Sequence, residues 1–279
     1  MITIGKSQTL RAERRTNQGI YLVDETNDSV LLPNAYLPKT LKIGDEITVF
    51  VYLDQEERPI ATPHKPMVEL GGFAALEVSN VVPFGAFFRW GPVKELLVPI
   101  DLQATPIREE EERHIVHVMF DDASQRLVGT TKITPYLIPA LADDLKPGQP
   151  VYALIYERTE LGFKAVVEQK YEAMVYHSDL FKQIRTGQNV QLYVRKIRPD
   201  GKVDLVPEKF GYQKVLSHTE KLLRALEDNN GFLPLHDKSP AELIYDQLQM
   251  SKKVFKKSVG ALYKQRKIKL EPNGIRLVQ

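Results

Sequence analysis

The chain has 279 residues, 43% apolar and 27% charged, which suits a folded globular protein long enough for two or more domains; it has no cysteine, excluding disulfides, thiolate chemistry and cysteine-ligated zinc. No apolar run reaches the roughly 20 residues a membrane helix needs, and Met1 to Lys6 lacks a signal-peptide pattern, so a cytoplasmic location is expected. Net charge is +2 but uneven: from Gln213 onward there are 13 Lys/Arg against 7 Asp/Glu, and the preceding 212 residues carry 25 against 29.

In chain order, the sequence repeats itself. "GIYLVDETNDSVLLPNAYLP" reads strand, turn, strand, loop; "LKIGDEITVFVYLDQEERPIAT", from Leu41, then reads Gly, two polar residues, an alternating strand, a charged turn and a short returning strand. The same order recurs in "GAFFRWGPVKELLVPIDL" with "IREEEERHIVHVMFDDASQRLVGTT", where Glu109–Glu112 replaces the Gly opening. A third copy is "GFKAVVEQKYEAMVYHSDL" with "IRTGQNVQLYVRKIRPDGKVDLVP". Boundaries fall at the Pro-rich Pro63–Pro66 and at Leu141–Pro150, which predicts units over 1–65, 66–142 and 143–211. Short alternating strands spaced by turns predict a five-stranded OB-fold barrel for each, because closure removes the exposed edges of a flat sheet.

The segment 212–279 breaks the pattern. "YQKVLSHTEKLLRALEDNNG" places Val215, Leu216, Leu222, Leu223 and Leu226 at helical spacing and stops at Asn229-Asn230-Gly231. "FLPL" is a short extended bridge; "SPAELIYDQLQ" opens a second helix with Ser239 as N-cap and Pro240 at the first helical position. A third helix restarts at Ser251 with Phe255, Val259 and Leu262 on one face, and two short strands flank Pro272-Asn273-Gly274. Helix, bridge, helix, helix, hairpin is the winged-helix order, common among nucleic-acid readers. The expected class is mainly β with an α+β C-terminal domain.

"VVPFGAFFRWG", Val81 to Gly91, puts four aromatic rings within seven residues. Alternation sets Phe87 and Phe88 on opposite faces, and Gly85 lets Phe84 turn outward. The rings either fill a small barrel or form a platform on which bases stack. Enzymatic chemistry finds no footing. "GKS" at Gly5 lacks the upstream Gly of a phosphate loop, and His114 and His117 point to opposite faces of one strand. Asp121-Asp122 and Asp143-Asp144 have neither a His nor a third carboxylate beside them in the sequence, and no nucleophile–base set or metal-ligand set emerges.

"VSNVVPFGAFFRWG…ELLVPIDL" resembles the RNA-binding repeat first described in ribosomal protein S-one, whose hallmark is Phe-Gly-Ala-Phe followed by a Gly-Leu-Val-His-type strand end. The resemblance puts Phe84 and Phe87 on the stacking aromatics and Asp122 and Arg126 on the Asp-x-x-x-Arg pair, with Pro99 replacing the His. In the first copy it selects Tyr21, Asp54 and Arg58, with Gln18 in place of the first Phe and Pro33 in place of the His. In the third it selects Phe163, Tyr176 at the His position, and Lys202 at the Arg position, with Arg198 where the Asp stands. Three such repeats before a winged helix resemble the conserved virulence factor B family of bacterial RNA-binding regulators. That resemblance implies a non-enzymatic, cofactor-free binder of single-stranded RNA, acting in post-transcriptional regulation or translation. The alternative is a DNA-binding transcriptional regulator led by the winged helix, with Lys252, Lys253, Lys256 and Lys257 contacting duplex nucleic acid.

Overall fold

The structure, a computed structural model, describes residues 1–108, 110, 112–180, 183–207 and 212–278, the side chains of 212–217 apart. Val215 and Leu216 therefore lie outside the described side chains, as do Glu109 and Glu111 of the acidic run.

The first unit comprises β1 (Ser7–Arg15), β2 (Gly19–Val23), β3 (Ser29–Pro33), β4 (Glu46–Leu53) and β5 (Pro59–Thr62), closed as a barrel in the order β1-β2-β3-β5-β4. Alternate residues Leu10 and Ala12, Ile20 and Leu22, Val30 and Leu32, and Val49 and Val51 point inward and form its core with Ala61. The second unit comprises β6 (Phe73–Val82), β7 (Gly85–Arg89), β8 (Leu96–Pro99), β9 (Arg113–Asp121) and β10 (Arg126–Thr130). The third comprises β11 (Pro150–Arg158), β12 (Gly162–Val167), β13 (Tyr171–Tyr176), β14 (Asn189–Ile197) and β15 (Val203–Val206), closed in the order β11-β12-β13-β15-β14. The opening strand of each unit carries a register shift at the same place, between Ala12 and Arg14, Val78 and Asn80, and Ile155 and Glu157. Such a bulge bends the strand so that it can serve two neighbours around a small barrel.

The expectation of three closed barrels needs one correction. The second unit is a curled five-stranded sheet in the order β10-β9-β6-β7-β8, with no ladder joining β8 to β10. The first and third units close through parallel pairs, Leu31 with Ile60 and Ala173–Val175 with Val203–Leu205. In the second, the Gln103 side-chain amide donates to the Val98 carbonyl at 3.1 Å, tying the segment after β8 back onto that strand. The β10 end bonds instead to the turn after β8: Thr130 Oγ1 donates to Leu102 O at 2.8 Å, and Thr131 N donates to it at 3.1 Å.

The units are packed together through apolar seams. Phe50 and Tyr52 of β4 belong to the core of the second unit, where Phe50 meets Trp90 edge-on at 5.6 Å. Gly5 of "GKS" lies in the same seam, its N–H donating to Val51 O at 2.7 Å and its carbonyl accepting from Leu70 N at 2.8 Å. Phe73, Ile115 and Ile133 of the second unit pack with Leu154 and Val166 of the third.

The C-terminal region contains α1 (Tyr212–Asp228), β16 (Phe232–Leu233), α2 (Ala241–Leu248), α3 (Lys252–Lys264), β17 (Ile268–Glu271) and β18 (Gly274–Leu277), the strands ordered β16-β18-β17. This is a winged helix around Leu222, Leu226, Ile244, Leu248, Phe255, Leu262, Ile268 and Ile275. Gly231 N donates to Leu226 O at 2.6 Å and closes α1, and Ser251 Oγ caps α3 by accepting from Val254 N at 3.1 Å. The start of α2 differs by one residue from the sequence expectation: Pro240 is the N-cap, and Ser239 is buried with its Oγ accepting from His236 N at 3.0 Å. The serine closes the preceding turn rather than the helix. Among the described residues, no helix is long and apolar enough to cross a membrane.

Candidate nucleic-acid interface

The four rings of Val81–Gly91 divide two and two. Phe88 and Trp90 are buried, at 0% and 3% exposure, while Phe84 is 59% exposed and Phe87 half-buried. Phe84 stands edge-on to Phe87, with ring centroids 6.3 Å apart. The division follows from the pleat, since β7 pairs Phe87 with Leu97 and Phe88 with Leu96, on opposite faces. Gly85 permits the close pairing beside them: a Cβ there would stand 2.5 Å from the Val98 carbonyl oxygen. The Phe84 N-terminal turn thus presents one open ring buttressed by a second.

The polar candidates are arranged differently from the sequence expectation. In the first unit, Asp54 and Arg58 do pair: Arg58 Nε and Nη2 donate to Asp54 Oδ2 at 3.0 and 2.8 Å, and the Arg58 and Glu56 amides both donate to Oδ1 at 2.9 Å. Burial pushes the Asp54 carboxyl up, but the Arg58 amide and guanidinium outweigh it and hold it below the usual carboxylate range. In the second unit, Asp122 and Arg126 do not pair. Arg126 Nη2 reaches across the seam to Glu57 Oε1 at 2.5 Å, with Lys94 Nζ 3.8 Å from the same oxygen. Across the hairpin Arg126 faces Asp121, whose carboxylate is taken by the Ser124 N–H at 3.0 Å and by the Ser124 hydroxyl. The family-type arginines of the first two units therefore share one balanced cluster, Asp54, Glu56, Glu57, Arg58, Lys94 and Arg126.

In the third unit, Phe163 is a core residue at 7% exposure, packed with Ala165 and Val175 and edge-on to His177 at 5.1 Å. At 7% exposure it is no open platform like Phe84. Tyr176 is half-buried and donates to Asp204 Oδ1 at 3.4 Å; Lys202 Nζ pairs with Glu172 Oε2 at 3.0 Å. Arg198, standing where the repeat has its Asp, lies 3.3 Å from the buried Asp204. Tyr21 of the first unit is half-buried under the Arg14 guanidinium, 4.0 Å from its ring centroid.

On α3, Lys253, Lys256 and Lys257 are exposed and Lys252 half-buried, opposite the inward Phe255, Ser258 and Leu262. Sequence reasoning missed Glu57 as the partner of Arg126 and Arg14 as the cover of Tyr21. It also missed Arg158, His177 and Arg185, which with Phe163, Leu180 and Ile184 line an open cleft of about 550 Å³. The basic residues at both ends of the "GFKAVVEQKYEAMVYHSDL" repeat were the available signal.

The residues set aside as non-catalytic are structural. His114 meets Phe88 edge-on at 6.1 Å, while His117 stacks on Tyr136 at 4.2 Å and on Phe73 at 4.5 Å, so the two rings do face apart. Asp144 Oδ2 accepts from Leu141 N at 2.7 Å, closing a turn.

Residues 4–64 match the S1 domain family, and residues 220–277 match the CvfB-like winged helix domain family. Uncharacterized protein YitL of Bacillus subtilis strain 168 is 27% identical over 278 residues, covering 97% of this chain and 92% of its own. Conserved virulence factor B of Staphylococcus saprophyticus is 24% identical over 244 residues, covering 86% of this chain and 82% of its own. A Streptococcus pneumoniae multidomain protein with nucleic acid binding domains, of known crystal structure, is 21% identical and spans 99% of this chain and 98% of its own, with a TM-score of 0.41.

Proposed function

Because the chain is CvfB-like, joining an S1 domain to a CvfB-like winged helix, we propose that it binds single-stranded RNA and acts in post-transcriptional regulation or translation. The observation that carries the reading is the exposed Phe84 ring braced edge-on by Phe87, beside a core that already holds Phe88 and Trp90. An open ring of this kind gains about 1–3 kcal/mol from one stacked base and is indifferent to which base it is. The other features that support it are cationic: the lysines of α3, and Arg158 and Arg185 in the third unit, neutralise phosphates without choosing a sequence.

Stacking needs an unpaired base, so the mechanism discriminates between strands. A nucleotide splayed across Phe84 leaves its Watson–Crick edge free for polar contacts, whereas a duplex keeps its bases stacked on each other. We assign the binding platform to the unit spanning 66–142, flanked by OB-type units over 1–65 and 143–211, with the winged helix of 212–279 as a basic annex. Arg58, Arg126 and Lys202 are already ion-paired, so their contribution requires exchange of a carboxylate for a phosphate.

The test is competition at fixed salt between a single-stranded RNA and a duplex of the same length, for the parent protein and for Phe84→Ala with Phe87→Ala. The reading requires that the single strand bind better and that the double variant erase most of the difference. Preference for the duplex, unchanged by the two substitutions, favours the DNA-binding alternative led by α3.

A further inference from the structure

We propose that the mouth of the third barrel seats a free nucleoside monophosphate, with the phosphate held between Arg158 and Arg185 and the base lying over Phe163, Leu180 and Ile184. The proposal adds a small-molecule site to the chain and stands whether or not the second unit stacks RNA.

The cleft of about 550 Å³ opens at one end of the third barrel, where β11 stops at Arg158, β12 begins, and the connection from β13 to β14 passes over. That volume lies within the range of small-ligand pockets, and barrel mouths are among the places where such pockets form. Phe163 is the floor. It belongs to the barrel core at 7% exposure, pairs across the ladder with Arg158, and meets His177 edge-on. Leu180 and Ile184, both half-buried, extend the floor from the β13–β14 connection. His177 Nε2 donates to the Thr159 carbonyl at 3.0 Å, which fixes that wall. Gln183 at the rim carries both a donor and an acceptor, as the edge of a heterocycle requires.

The charges single out one phosphate. Elsewhere in the unit Lys164 pairs with Glu157, Arg195 with Asp179, Lys196 and Arg198 with Asp204, and Lys202 with Glu172. By contrast, no described residue engages the guanidinium of Arg158 or of Arg185. Two unengaged guanidiniums beside an apolar floor suit a phosphate monoester, which each can grip through paired N–H donors. The adjoining opening is lined by Glu157 and Glu160 as well as Arg158 and His177. A strand threaded through would carry its next phosphate past these two carboxylates, whereas a mononucleotide ends before them.

The other units lack the full set. At the positions that the ladders align with Arg158 and Phe163, the second unit has Val81 and Ala86, and Ile100 follows β8 where His177 follows β13. Its Gln103, at the Leu180 position, is buried and commits both ends of its amide to Val98 O and Ile107 N. The first unit keeps two cations, Arg15 and Lys42, but has Ile20 and Asn34 in place of the two rings. Among the described residues, flat apolar surface and paired guanidiniums coincide only in the third mouth.

The experiment is calorimetric titration of the full-length protein with adenosine 5′-monophosphate, adenosine and inorganic phosphate. The monophosphate is expected to bind at one saturable site, with adenosine and phosphate each weaker by about tenfold or more. Arg158→Ala and Arg185→Ala should each weaken it by about tenfold, since a hydrogen bond to a charged group is lost. Both side chains are exposed, so neither change should disturb the fold. Phe84→Ala with Phe87→Ala should leave nucleotide affinity unchanged, as should saturation with a single-stranded RNA bearing a 5′-hydroxyl. No saturable binding, equal binding of adenosine, or parent-like affinity in both arginine variants would overturn the proposal. So would displacement by the strand, which would return the arginines to ordinary chain phosphates. Nucleotide binding in a protein with no RNA affinity sinks the RNA reading and not this one, and RNA binding through Phe84 without nucleotide binding sinks this one alone.

Discussion

Truncating the rings of β7 one at a time separates a platform from a core. Phe88 is fully buried among Leu76, Val78, Leu96 and Val116, so Phe88→Ala leaves a cavity and is expected to cost about 3–5 kcal/mol. Phe84 keeps only about two-fifths of its surface covered. Scaling the roughly 1.5–3 kcal/mol of a fully buried Phe by that fraction gives about 1 kcal/mol. Because the first two units share a core, the second loss corresponds to a fall of about 2–4 °C in melting temperature, and the first to several times that. RNA affinity should run the other way: Phe84→Ala removes about 1–3 kcal/mol of stacking, roughly 5- to 150-fold in Kd. Urea unfolding followed by circular dichroism and RNA titration by fluorescence anisotropy, on the same preparations, give both numbers. A Phe84→Ala variant that unfolds like Phe88→Ala while binding RNA as the parent does would show that the ring is core, and the platform argument would fail.

Three further expectations follow from the charges. Arg126→Ala should lower stability by no more than about 1 kcal/mol, since its ion pair with Glu57 is half-exposed, and a double-mutant cycle with Glu57→Ala should return that coupling across the first seam; unfolding of the protein by either single change would contradict it. Changing Lys252, Lys253, Lys256 and Lys257 to Ala should make the log–log salt dependence of RNA binding shallower by about three units, at ~0.7 per phosphate contact on a single strand, and parallel slopes would return those lysines to plain surface charge. Burial holds the His117 imidazole below its ordinary pKa of 6.5, so the unfolded chain takes up a proton that the fold resists. Stability should therefore fall as pH drops through about 6.5 and level off below the folded value, a dependence that His117→Gln should flatten in thermal melts.

The parts of this fold legible in the sequence are those set by local rules. Strand alternation separated Phe87 from Phe88, the Ser251 cap and the Asn229-Asn230-Gly231 stop framed the helices, and the recurring strand–turn–strand order announced three related units. What escaped depends on groups far apart in the chain. Glu57 meets Arg126 only because two units pack side by side, and no spacing rule reaches across that seam. Gln103 ties the segment after β8 to the Val98 carbonyl, a side-chain contact that periodicity does not register. The burial of Phe163 escaped notice because Gly162, its neighbour, has no side chain to mark the parity of β12, and both positions are buried. The ion-paired state of Lys202 likewise needs Glu172, on a different strand.

The sharing of Phe50 and Tyr52 with the core of the second unit bears on how the protein comes apart. Repeats joined like beads would melt independently, each with its own transition. Here a boundary drawn through Pro63–Pro66 cuts a single apolar layer in two, baring Trp90 on one fragment and Phe50 on the other. The first two units are thus one cooperative foldon, and fragments that end between them will be sticky rather than modular.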